Sequence, residues 1–68
     1  MYAGVISDVD PKGGFGLIVS DEGEIVLFGR ESLQANCDPH ALRVGQRVEF
    51  TIDKVEPAPH ANAVTPQR

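Results

Sequence analysis

Tryptophan is absent from this chain, and its 68 residues include one Cys, one Tyr and three Phe. With Cys37 alone no intramolecular disulfide can form, so the fold must stand on its apolar core. That usage suits a reducing compartment. Positive charge is also scarce. Ten Asp and Glu against six Lys and Arg leave a net charge of −4. Nucleic-acid binders draw much of their affinity from neutralised phosphates, so any such contact here is expected to be weak and salt-sensitive. An acidic total does not exclude it, because charge can segregate by face.

No apolar run is long enough to cross a bilayer. The opening "MYAGVISDVD" lacks the basic flank and apolar stretch of a signal peptide. The expectation is a soluble, cytoplasmic protein with no membrane partner. At this length one domain, 1–68, is expected, and it buries only about 60% of the surface its unfolded chain exposes.

Catalytic signatures are missing too. No Ser/His/Asp set or pair of catalytic carboxylates stands out, and no phosphate-loop lysine motif follows the glycine-rich turn. Cys37 and His40 are three apart, and His60 is the remaining His. Zinc sites take four ligands, usually in paired spacing, so no metal is expected. The chain is read as a non-enzyme without cofactor.

What is present is a series of short strands. Tyr2–Val9 reads as the first, although Val5, Ile6 and Val9 break clean alternation. "DPKGG" is a turn by composition, since Pro fixes φ and Gly accepts positive φ. In Phe15–Ser20 one face carries Phe15, Leu17 and Val19, the other Gly16 and Ile18. "DEG" closes a hairpin onto Glu24–Gly29, where Val26 and Phe28 oppose Ile25 and Leu27. Arg30–Gln34 reads as one helical turn that folds Leu33 inward, and "NCDPH" reads as loop because Pro39 biases Asp38 away from helix. "QRVEFTID" alternates strictly, with Val48, Phe50 and Ile52 inward. After the stiff link "EPAP", His60–Thr65 is a short last strand, with Val64 its one strong strand former. A three-stranded meander and two later strands predict an all-β, small five-stranded antiparallel barrel, whose closure removes exposed edges.

Four segments carry a family likeness. "GVISDVDPKGGFGLI" follows G-x-V-K-W-F-N-x-x-K-G-F-G-F-I without a gap, and "IVLFGRESL" follows D-V-F-V-H-F-S-A-I. "LRVGQRVEF" follows L-x-x-G-Q-x-V-x-F, and "APHANAV" follows G-P-Q-A-A-N-V. Over nearly its whole length the chain resembles the bacterial cold-shock proteins. That resemblance implies an OB-fold barrel that binds single-stranded RNA or DNA, with Ile18, Val26, Val48 and Phe50 as retained core positions.

The departures fall on the functional positions. Asp8 stands where the family has an exposed Trp, Val9 where it has Phe, and Ser7 where it has Lys. Leu17 and Leu27 replace stacking Phe residues, Gly29 replaces His, and Arg30 replaces Phe. The family's loop Phe falls near Pro39 and His40. Of the stacking rings, Phe15 alone stays in place. Stacking on an aromatic contributes roughly 1–3 kcal/mol per base, whereas Leu covers a base with less area and no π interaction.

The candidate nucleic-acid residues are therefore Lys12, Phe15, Leu17, Leu27, Arg30, Pro59 and His60. Each has a plainer alternative. Phe15 is either a stacking ring or a half-buried strand aromatic. Leu17 and Leu27 form either an outward apolar patch or part of the core. Arg30 either stacks and pairs with phosphate or is a solvated Arg beside Glu31. Lys12 meets a phosphate or is an ordinary turn Lys. Pro59 and His60 align with a base-contacting segment of the family, or Pro59 is structural. A protein partner on the Phe15/Leu17/Leu27 face is the rival to single-stranded nucleic acid.

Overall fold

The computed structural model describes residues 1–10, 12, 14–33, 42–54 and 59–67. The loop "NCDPH", with Cys37 and His40, and most of the link before Pro59 lie outside the described residues. Five strands follow in order: β1 (Tyr2–Asp10), β2 (Phe15–Ser20), β3 (Ile25–Phe28), β4 (Arg47–Lys54) and β5 (His60–Pro66). A 3₁₀ turn, Arg30–Ser32, follows β3. The strands close into one barrel in the order β1-β2-β3-β5-β4, the small all-β OB-type barrel expected. Four neighbouring pairs are antiparallel, and the closure between β3 and β5 is parallel.

The β2–β3 hairpin turns on Asp21–Gly23. The Gly23 N–H donates to the Ser20 carbonyl (2.8 Å), and the Ser20 N–H donates to the Glu24 carbonyl (2.8 Å). Gly23 sits at φ 90°, a conformation that disfavours residues with a Cβ. After β3, the Ser32 hydroxyl accepts from the Gly29 N–H (3.0 Å), and the Ser32 N–H donates back to the Gly29 carbonyl (2.9 Å). This reciprocal pair tightens the turn and leaves Leu33 half-buried against the core.

β1 contains the one irregularity that matters for the site. Its pairing with β2 runs Ile6↔Ile18 and then Asp8↔Leu17, so Ser7 is the extra residue of a bulge. Before the bulge Ile6 points inward; beyond it Val9 packs against the core, while Ser7 and Asp8 are both exposed. The broken apolar alternation of Val5, Ile6 and Val9 is the trace of this phase shift.

Inside the barrel Ile6, Ile18, Val26, Val48, Phe50 and Val64 are fully buried. Leu42 and Phe28 belong to the same buried cluster, and Ile52 packs against it half-buried. Burying side chains of this size stabilises by roughly 1.5–3 kcal/mol each, which is how so short a chain holds a fold. In β5, Ala63 adopts φ 53°, a left-handed conformation that Asn tolerates better than Ala.

Candidate functional site

The outward face of the β2–β3 hairpin carries no polar side chain along its strands. Phe15, Leu17 and Val19 of β2 alternate with the inward Ile18, and Ile25 and Leu27 of β3 alternate with the inward Val26 and Phe28. Phe15 is 53% exposed, so it is not a core residue, and Leu27 is 38% exposed. Leu17 is half-buried between its neighbours on the same outer face.

Register brings four residues into one row across four strands. Asp8 pairs with Leu17, Leu17 with Leu27, and Leu27 with His60. The bulge at Ser7 keeps Asp8 on this face, and the parallel contact delivers His60 to it. The Leu27 N–H donates to the Pro59 carbonyl at 3.0 Å and locks β5 onto β3 at that point.

Over the row lies a shallow groove of about 420 Å³. Phe15, Leu17, Leu27 and His60 line it, with Asp8 at one side and Gly16, Phe28 and Gly29 beneath. Gly16 is required for steric reasons. A Cβ there would strike the Asp8 carbonyl oxygen and meet the Val9 Cα at 2.9 Å, so β1 and β2 approach closely only because position 16 has no side chain. At Gly29 a Cβ would meet the Glu31 carboxylate at 2.8 Å, so Glu31 lies over the place an added side chain would occupy.

Of the seven residues chosen from sequence, the structure brings four together in the groove: Phe15, Leu17, Leu27 and His60. The other three do not line it. Pro59 contributes the carbonyl that positions β5. Arg30 donates from Nη2 to the Lys12 carbonyl at 3.1 Å, and the Lys12 N–H donates to Asp10 Oδ1 at 3.0 Å. Arg30 thus ties the 3₁₀ turn to the β1–β2 turn through the Lys12 backbone, and neither cation lines the groove.

Sequence reading did not find the second concavity. It holds about 250 Å³ and is lined by Glu31, Ser32, Asp53, His60, Ala61 and Asn62. His60 is therefore the wall between an apolar groove and a polar, acceptor-rich one. No local signal marks this, because Glu31 and Asp53 meet only through closure of the barrel.

The chemistry available is that of an adsorbing surface. Flat aromatic and aliphatic faces can take a planar ring, and His60 adds a stacking and hydrogen-bonding group. Asp8 opposes any phosphate brought onto the row. No family model matches the chain, and no curated protein matches it.

Proposed function

We propose that this barrel binds single-stranded nucleic acid, RNA or DNA, without catalysis. Bases lie against Phe15, Leu17, Leu27 and His60, and the backbone passes the margin where Lys12 and Arg30 are tied together. The observation that carries the proposal is the half-exposed Phe15 ring beside an apolar row that ends in His60. The resemblance of the chain to cold-shock proteins supports it and suggests a role in keeping transcripts unstructured or regulating them.

Affinity in this reading is low. The platform has one ring where the family has several, and Asp8 repels phosphate. A second reading is a protein-interaction module on the same Phe15/Leu17/Leu27 face, favoured by Asp8 and by the Leu residues that stand in place of rings.

The test is a titration of labelled oligo-dT and oligo-U with the full chain at low and at physiological salt. With about two or three phosphates neutralised, log K should fall against log salt with a slope of about −1.4 to −2.1. A slope twice as steep would show that other basic residues carry the backbone. No binding to either oligonucleotide at low salt would overturn the proposal and leave the protein-partner reading.

A further inference from the structure

The outward apolar face continues past the groove. Val5, Val19 and Ile25 are register partners across β1, β2 and β3. Ile25 is 60% exposed and Val19 36%, and none of the three lines the groove. The core does not use Val19 or Ile25, since Ile18, Ser20, Val26 and Phe28 are the buried residues of the same strands. Strand propensity does not demand them either, because Thr on a solvent-facing strand position serves that need.

Charge at this end of the hairpin is one-sided. Asp21, Glu22 and Glu24 surround the turn, all exposed. Arg47, the register partner of Val5, is already engaged: its Nη2 donates to Asp21 Oδ2 at 2.8 Å and its Nε to Gln67 Oε1 at 3.0 Å. Glu22 and Glu24 have no ion-pair partner among the described residues.

We propose that this row docks a partner protein through an extended segment that carries aliphatic side chains at alternate positions, which share one face, and Lys or Arg at the end that reaches the β2–β3 turn. The aliphatic side chains pack on Val5, Val19 and Ile25, and the cations meet Glu22 and Glu24. The acids argue for a cationic occupant. A nucleic-acid backbone would be repelled by them. So small a surface makes a transient contact. The site is separate from the groove, so partner and single strand can be held together.

The test is amide NMR of the full chain, titrated separately with a short Lys–Val peptide that has Val at alternate positions and Lys at one end, a Glu–Val control with Glu in place of each Lys, and oligo-dT. The Lys–Val peptide should shift the amides of Val5, Val19, Glu22, Glu24 and Ile25, and the Glu–Val control should not. Ile25→Thr should weaken the Lys–Val peptide by about tenfold or more and leave the oligo-dT shifts unchanged. The double variant Glu22→Lys, Glu24→Lys should weaken the peptide in the same way. The proposal is overturned if the peptide shifts none of these amides, or if Ile25→Thr binds it as tightly as the parent. It is also overturned if sedimentation shows a dimer that Ile25→Thr dissolves, which would make a second copy the occupant. Loss of oligo-dT shifts in the groove alone would sink only the single-strand proposal.

Discussion

The two faces of the β2–β3 hairpin are almost equally apolar and have opposite fates. Ile18, Val26 and Phe28 are buried, while Phe15, Val19, Ile25 and Leu27 on the reverse side remain exposed. Both sets satisfy strand propensity, so hydrophobicity alone does not separate them. Closure of the barrel does. One face meets β1, β4 and β5 across the interior, and nothing among the described residues covers the other. That uncovered apolar surface is where both proposed contacts fall.

Neighbouring substitutions break the comparison most sharply. Ile18→Ala removes a fully buried side chain and should cost about 2–5 kcal/mol. Val19→Ala, one residue on, should cost about 0.5 kcal/mol or less. Urea denaturation of both variants measures the difference, and equal losses would mean that the outer face is packed in solution. Gly16→Ala comes next. Its methyl would press on the β1 backbone at Asp8 and Val9, with an expected loss of about 1–3 kcal/mol. An unchanged midpoint in the same denaturation would show that the close approach of β1 and β2 has slack.

How much of this was legible depends on range. β2 reads directly from Phe15–Ser20, and β4 is displaced by one residue from the expected Gln46–Asp53 to Arg47–Lys54. These strands alternate cleanly or are bounded by turn residues, and such signals are local. Ile18, Val26, Val48 and Phe50, expected in the core, are all fully buried. β1 was ambiguous because the bulge at Ser7 shifts the period partway along. The parallel contact of Leu27 with His60 has no local signature, since it joins strands separated by the whole of β4 and its connections. The same limit hid the polar concavity and the Arg30 bond to the Lys12 carbonyl, both made by residues distant in sequence.

The comparison can also be sharpened by restoring rings to the outer face. The combined change Asp8→Trp, Leu17→Phe and Leu27→Phe places three aromatics on the row and removes a carboxylate. It should tighten oligo-dT binding at least about tenfold, which needs only about 1.4 kcal/mol. Fluorescence of the new Trp reports binding, and circular dichroism checks the barrel. A folded triple variant that binds no better than the parent would favour a protein ligand on this face.

Phe15→Ala tests most directly whether the exposed face is a binding surface while the buried face holds the fold. Oligo-dT affinity and thermal unfolding are measured on the same sample. The expected result is a loss of roughly 1–3 kcal/mol in binding with the melting temperature nearly unchanged. Unchanged affinity, or a collapse of the melting temperature, would contradict the account.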